Sequence, residues 1–296
     1  MKRLIEVLKL AESHLEQRGV PFARLSAERL LASVMGLERL ELYLSFDRPL
    51  VEKELEGYRK LLRRRVAHEP LQYILGQTGF RRFTIEVGPG ALVPRPETEM
   101  LVQLVLDHLD KITRDEAEEP VRVLDLCTGS GVVGLSLAEE SSSRRVYCIC
   151  TDMSRKALGW AVKNVQRAGS RCREAVHFLC ADLFEALRPG SFFDIVVSNP
   201  PYVAPEELNS LPEEIKRYEP LEALDGGGAD GTAVIGRIIE CSSEVMKQGA
   251  LLALEIGESQ EQAIGELFAR RQGKYSTPGF HRDLAGCTRF VTAFRQ

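Results

Sequence analysis

No apolar run in this chain approaches membrane-spanning length. Met1 to Arg18 mixes acidic residues into an amphipathic helical period, where a signal peptide would have a continuous apolar core. Cysteine occurs seven times, an odd number, and never as Cys-x-x-Cys. That argues against a disulfide framework and against zinc. Cys148 and Cys150 alternate on an expected strand as small apolar residues. A cytoplasmic protein with reduced thiols is the expectation. There is no His-Glu-x-x-His, no Walker A segment and no Gly-x-Ser-x-Gly elbow, and the five histidines are scattered. No metal site is expected. Basic runs are equally scarce. Arg63-Arg64-Arg65 is the densest and reads as a solvated helix face. With a formal net charge of -4, the chain has no basic groove legible in its sequence, and a direct nucleic-acid substrate is not expected.

What is present begins with Ser198-Asn199-Pro200-Pro201-Tyr202, directly after the apolar run Phe192–Val197. The two prolines fix φ and remove two N–H donors, so the turn is stiff. Asn199 offers an amide oxygen and Pro200 a carbonyl oxygen, both acceptors. Two fixed acceptors side by side suit a planar NH2 group, on an amide or a nucleobase. Taken alone, the segment also fits an ordinary turn after a strand.

A second element changes the balance. Val121–Leu126 reads as a buried strand, Cys127-Thr128-Gly129-Ser130-Gly131 as a glycine turn and Val132–Ala138 as a helix. This is the first unit of a doubly wound α/β sheet. Gly129-x-Gly131-x-x-Gly134 matches the dinucleotide fingerprint, and Asp152 follows at the end of the next expected strand. The pattern fits a nicotinamide dehydrogenase and equally an S-adenosylmethionine site, since both hold an adenosine ribose. Three features favour S-adenosylmethionine. Asp125 ends the first strand, where it can accept from the methionine ammonium directly or through water. Asp182, in Ala181-Asp182-Leu183-Phe184, can accept from the adenine amine. The fourth strand then ends in Asn-Pro-Pro-Tyr, for which a dehydrogenase has no use. Asp152 is read as the ribose acceptor, a role compatible with capping the helix that follows.

With these residues in place the chain resembles the glutamine-N5 methyltransferases of peptide-chain release factors. The resemblance runs nearly full length. It rests on Glu69–Gly76, Val93-Pro94-Arg95-Pro96-Glu97-Thr98-Glu99, Leu124–Gly131, Asp182-Leu183-Phe184, Asn199–Tyr202, Glu219–Leu224, Glu255-Ile256-Gly257 and Asp283–Gly286. The resemblance implies S-adenosylmethionine as cofactor and the glutamine of a release factor's Gly-Gly-Gln loop as substrate. Cofactor contacts are then expected from Asp125, Cys127, Thr128, Gly129, Ser130, Gly131, Asp152, Asp182, Leu183 and Asn199. Asn199, Pro200 and Tyr202 would carry catalysis, with Pro201 beside them in the substrate site. Two positions depart from the family pattern. Cys127 stands where glycine is usual, and Leu183 where an aromatic residue often flanks adenine. The alternative with the same acceptors is an adenine-N6 methyltransferase acting on DNA or RNA.

Residues 1–80 read as a small helical bundle for substrate recognition, 81–96 as a hairpin or linker, and 97–296 as the methyltransferase domain. Phe80–Val87 alternates like a hairpin strand. Helices are expected over 4–18, 26–35, 38–44, 52–67 and 96–112, with a loop over 113–120. Seven strands are expected near 121–126, 145–151, 175–180, 192–198, 249–256, 273–280 and 287–295, the last two forming an antiparallel hairpin. Gly226-Gly227-Gly228 reads as a flexible turn, or as a close approach to the substrate peptide.

Overall fold

The structure, a computed structural model, describes residues 2–111, 119–142 and 145–296. They divide into two compact units. One is Met1–Gln77 with Pro212–Tyr218; the other is Thr78–Leu211 with Glu219–Gln296.

The first unit holds α1 (Leu4–Gln17), α2 (Ala23–Met35), α3 (Arg39–Tyr43), α4 (Glu52–Val66) and α5 (Leu71–Leu75). The apolar stripe Leu4, Leu8, Ala11 and Leu15 of α1 meets Leu30 and Leu31 of α2 in one core, with Leu42, Leu50 and Tyr58. Burying these side chains drives the unit together, at roughly 25 cal/mol per Å² of apolar surface. The Tyr58 hydroxyl is satisfied by donating to Ala27 O at 3.0 Å. The arginine run does not form a uniform solvated face. Arg65 is only 3% exposed and donates to Ser26 Oγ, Glu69 O and the Glu214 carboxylate at 2.6 Å. A buried guanidinium needs such partners, because desolvating it unpaired costs several kcal/mol. Arg64 pairs with Glu69. The Tyr218 hydroxyl donates to Ala67 O at 2.9 Å, so two side chains of the 212–218 segment are held inside this unit.

The second unit opens with a hairpin, β1 (Gln77–Phe80) and β2 (Phe83–Glu86), turning at Arg81 with φ 48. The turn falls inside the stretch read as a single strand. Then come α6 (Pro96–Lys111), β3 (Val121–Leu126), α7 (Val132–Glu140), β4 (Val146–Asp152), α8 (Arg155–Arg167), α9 (Ser170–Ala175), β5 (Val176–Cys180) and β6 (Phe193–Ser198). After β6 lie two short helices where the sequence shows no clear periodicity, α10 (Pro205–Leu208) in this unit and α11 (Glu213–Tyr218), which belongs to the first. α12 (Ala233–Ser242), β7 (Met246–Glu255), α13 (Glu261–Ala269), β8 (Gly279–Arg282) and β9 (Thr288–Phe294) complete the chain. Ile112 and most of the loop expected over 113–120 lie outside the described residues.

Seven strands form one sheet in the order β5-β4-β3-β6-β7-β9-β8. The first five are parallel, and β9 and β8 run antiparallel at one edge. β6 is buried at every residue, as a central parallel strand with covered faces must be. The last hairpin differs from expectation in its first strand, which spans 279–282. Before it, Tyr275 makes only an isolated antiparallel bridge with Arg295, with Ser276 N donating to Phe294 O at 2.8 Å, while the Tyr275 hydroxyl donates to Ile239 O at 2.9 Å. Among the described residues no helix is long and apolar enough to cross a membrane.

Candidate active site

From β3 the chain winds outward through β4 and β5, and from β6 it winds the other way through β7. The carboxyl ends of β3 and β6 are therefore the topological switch point of the sheet, where open α/β folds hold ligands. Register pairs Leu126 with Ser198, and Ser198 with Leu254. The next residues on the three strands, Cys127, Asn199 and Glu255, thus emerge side by side. Ser198 Oγ donates to Leu126 O at 2.7 Å, stitching the two strand ends together.

The glycine turn is built around Asp125. Its carboxylate is fully buried and accepts from Thr128 Oγ1 at 2.5 Å and Gly134 N at 3.1 Å, both at Oδ2. Oδ1 has no partner of normal hydrogen-bond geometry; the weak Cys150 thiol lies nearby. Burial pushes Asp125 up to about 7. With no exposed surface, Asp125 borders the cavity and shapes the turn, and only its ionised form would lend the cavity a charge. Gly134 is required there, since a Cβ would lie 2.4 Å from Cys150 Sγ. Gly131 adopts φ 82, starts α7 and packs on Ala161, outside the cavity lining. Cys127 adopts φ 55, a left-handed conformation that costs a residue with a Cβ about 1–2 kcal/mol. That is the backbone cost of carrying a cysteine, rather than a glycine, at this position. Burial also pushes its thiol up, so it stays protonated.

Asp152 is half-buried, and its carboxylate accepts from Gly129 N at 2.9 Å and Ser154 N at 2.8 Å. The capping of α8 falls to Ser154, whose Oγ accepts from Ala157 N at 3.3 Å. Each Asp152 oxygen retains capacity for a further donor, such as a hydroxyl. Asp182 also faces the cavity, but Arg237 Nη2 holds its Oδ2 at 2.8 Å. Leu183 beside it is buried and left-handed, φ 48.

These residues line a cavity of about 500 Å³, together with Thr128, Gly129, Ser130, Asn199 and Pro201. Pro200 and Tyr202 stand outside the lining. Asn199 Nδ2 donates to Thr98 Oγ1 at 2.9 Å. Neither Asn199 Oδ1 nor the Pro200 carbonyl accepts a hydrogen bond among the described residues. Tyr202 turns its hydroxyl to Glu255 Oε1 at 3.2 Å, and burial keeps that phenol protonated. Thr98 Oγ1 donates to the other oxygen, Glu255 Oε2, at 2.8 Å. Burial raises Glu255 to about 7 against those two hydrogen bonds.

The far wall comes from the return of the chain after α11. Glu219 is buried and accepts both bonds of Arg95 Nη2, at 2.8 and 2.9 Å, which ties the Pro-Arg-Pro-Glu-Thr segment to Pro220 and Leu221. In the triple glycine, Gly227 and Gly228 turn the chain at φ 69 and 71, and Gly226 has a different reason to be there. A Cβ on Gly226 would lie 1.9 Å from Gly231 O and 2.7 Å from the Tyr202 Cα, so it marks a close approach to the Asn-Pro-Pro-Tyr backbone itself. Gly226→Ala is expected to lower stability by about 3 kcal/mol, the upper range for overpacking, read as a fall in thermal midpoint. An unshifted midpoint would show that the turn has room to move.

Thr98, Glu255, Arg95 and Glu219 are site residues to which sequence reasoning attached no role. Only their presence in the quoted family segments marked them. The cavity suits an adenosine-containing ligand. Leu92, Leu183, Leu221 and Val234 supply apolar walls, Asp152 an acceptor for hydroxyls, and the buried Asp125, when ionised, a charge complementary to a cation. Among the described residues no cluster of three or more His, Cys, Asp or Glu is placed to hold a metal.

Two protein-family models match the chain. Residues 6–76 match the PrmC N-terminal domain and residues 100–229 the methyltransferase small domain. The release factor glutamine methyltransferase of Geobacter sulfurreducens is 36% identical over 265 residues, 90% of this chain and 88% of its own. That of Moorella thermoacetica is 36% identical over 293 residues, 99% of both chains. A human methyltransferase 10 domain containing protein superposes with a TM-score of 0.51 at 17% identity, over 71% of this chain and 87% of its own, which is a likeness of fold. Identity of this order, sustained across both units, makes the chain a member of the release factor glutamine methyltransferase family.

Proposed function

We propose that this protein transfers a methyl group from S-adenosylmethionine to the side-chain amide nitrogen of the glutamine in the Gly-Gly-Gln loop of peptide-chain release factors, in the cytosol where those factors act. The observation that carries this reading is the pair of unpartnered acceptors, Asn199 Oδ1 and Pro200 O, beside the cavity.

An amide nitrogen is a poor nucleophile because its lone pair is delocalised into the carbonyl. When bound, S-adenosylmethionine supplies an electrophilic methyl group on a sulfonium. Asp152 would hold the ribose hydroxyls, Asp182 and Leu183 the adenine, and Thr128, Gly129 and Ser130 the methionine end. Asn199 and Pro200 accept the two N–H bonds of the carboxamide. Those bonds strengthen as positive charge develops on nitrogen, so the acceptors stabilise the transition state more than the ground state. The Tyr202 ring, anchored through Glu255, forms the rim against the flat carboxamide. No general base is required, because the nitrogen's proton becomes acidic only after methylation.

Incubation with labelled S-adenosylmethionine and purified release factor, followed by mapping of the modified residue, tests the proposal. Label on the Gly-Gly-Gln glutamine supports it. Label on nucleic acid with none on the release factor would replace it with the adenine reading. Separately, Asp152→Ala is expected to weaken S-adenosylmethionine binding by roughly 1.5–3 kcal/mol, the scale of a hydrogen bond to a charged group. Calorimetry reads this directly. Unchanged affinity would confine Asp152 to bracing Gly129 and Ser154.

A further inference from the structure

We propose that Thr98 and Glu255 act as positioning residues for methyl transfer, forming a hydrogen-bond relay that fixes which end of the Asn199 carboxamide faces the substrate. The inference rests on the reading of Asn199 as an acceptor for the substrate amide, and extends it to two residues behind Asn199, of which Thr98 also borders the cavity and Glu255 does not.

Three elements meet at this point. Asn199 and Tyr202 follow the end of β6, Glu255 ends the neighbouring strand β7, and Thr98 lies in the first turn of α6. Thr98 and Glu255 are buried, at 3% and 1% exposure, so water does not supply alternative partners. Distances run 2.9 Å from Asn199 Nδ2 to Thr98 Oγ1, then 2.8 Å from Thr98 Oγ1 to Glu255 Oε2. Tyr202 donates to the other oxygen of the same carboxylate.

With Glu255 ionised, the three groups allow one arrangement. The carboxylate then only accepts, so the single Thr98 proton goes to it, whereas a protonated Glu255, which burial favours below about pH 7, would donate to Thr98 instead. The Thr98 oxygen then has only lone pairs to offer Asn199. Asn199 must answer with its NH2, which turns Oδ1 away from Thr98 toward the substrate. Rotating the amide by 180° would set two oxygens without a proton 2.9 Å apart and would present an NH2 to the substrate's own NH2. Burial makes that arrangement costly, because neither oxygen can turn to water. One carboxylate thereby governs two members of the Asn-Pro-Pro-Tyr turn, Asn199 through Thr98 and Tyr202 directly. Bracing α6 against the sheet would need only the methyl and bulk of Thr98. The relay needs its hydroxyl.

The test is steady-state methylation of intact release factor by Thr98→Val, Thr98→Ser, Asn199→Ala and Thr98→Val/Asn199→Ala, each as the full chain, with thermal melts alongside. Thr98→Val keeps the shape and removes the hydroxyl. Its kcat is expected to fall by about tenfold, the effect of one buried hydrogen bond. KM for both substrates should stay within about twofold, because Val keeps the apolar bulk that Thr98 presents to the cavity. Thr98→Ser restores the hydroxyl and should restore kcat to within about threefold of the parent. The double variant should be no slower than Asn199→Ala alone, since the relay has nothing left to orient. If Thr98→Val does not fold, Thr98→Cys replaces it, its weak thiol predicting the same loss. Parental kcat in the hydroxyl-free variant, or Ser as slow as Val, overturns the relay. A slow Asn199→Ala beside a fast Thr98→Val leaves the Asn199 reading standing, whereas a fast Asn199→Ala removes that reading itself.

Discussion

Replacing Asn199 with alanine is expected to lower kcat by roughly 100- to 1,000-fold, the cost of removing one preorganised partner of a developing charge (about 2.7–4 kcal/mol). Affinity for S-adenosylmethionine should fall only modestly, because Asn199 is one of many residues around the cavity. The size of the effect follows from the site. In the folded protein alanine forfeits one hydrogen bond, from Nδ2 to Thr98 Oγ1, a stability cost of about 1 kcal/mol, while the reacting nitrogen loses one of two acceptors. Asn199→Asp sharpens the test. Aspartate offers an acceptor on each side, and one of them would face Thr98 Oγ1, whose proton is held by Glu255. The aspartate variant should therefore be slow as well, although it retains an oxygen toward the substrate. Rapid turnover by either variant, measured with saturating cofactor and release factor, would remove Asn199 from the chemistry.

The residues that reach this site differ in how far they could be read from sequence, and the reason is range. The glycine turn is local. Strand, turn and helix follow one another within Val121–Glu140, and the special backbone at Gly129 and Gly131 is written in the residue type. The Asn-Pro-Pro-Tyr turn is local for the same reason, since two prolines restrict the chain whatever surrounds them. Periodicity likewise carries the seven-stranded sheet, because each buried parallel strand is a short apolar run. Nothing local marks the relay. Thr98 is 101 residues from Asn199, and Glu255 is 53 from Tyr202. Only the strand order β6-β7 and the packing of α6 join them. The burial of Arg65 is hidden too, because its partner Glu214 lies 149 residues away in a segment that looks like polar loop. Gly226 misleads in the other direction. Three glycines read as freedom, yet Gly226 is there because another backbone occupies the space of its Cβ. The strand expected over 273–280 is split in the fold into a single bridge at Tyr275 and β8 over 279–282, a break between them that periodicity does not show.

A second large effect is expected from the helical unit. A Gly-Gly-Gln loop carries little side-chain surface, so contacts elsewhere must supply most of the affinity for a release factor. The helical unit has apolar residues to spare for such contacts. Phe22 is 80% exposed, Leu40 74% and Leu44 84%. Leu40 and Leu44 are one helical turn apart, and neighbouring Arg39 lies with Phe22 along one shallow groove. Three apolar anchors at about 2 kcal/mol each, discounted for non-additivity, are worth roughly 4 kcal/mol. Phe22→Asp/Leu40→Asp/Leu44→Asp should then lower kcat/KM on the whole release factor by about a thousandfold, mainly through KM. Activity on a short Gly-Gly-Gln peptide should stay within about threefold, since the peptide lacks the rest of the release factor that would supply a partner for these anchors. Substitution is a cleaner test than deleting residues before 80. Deletion would also strip Arg65 and Ala67 from Glu214 and Tyr218, in the segment that follows the Asn-Pro-Pro-Tyr turn, and so would disturb peptide turnover for a different reason. All three side chains are already exposed to water, so the triple variant should fold, with a melt near that of the parent. Equal proportional losses on peptide and release factor would assign the helical unit to support of the catalytic fold and remove it from recognition.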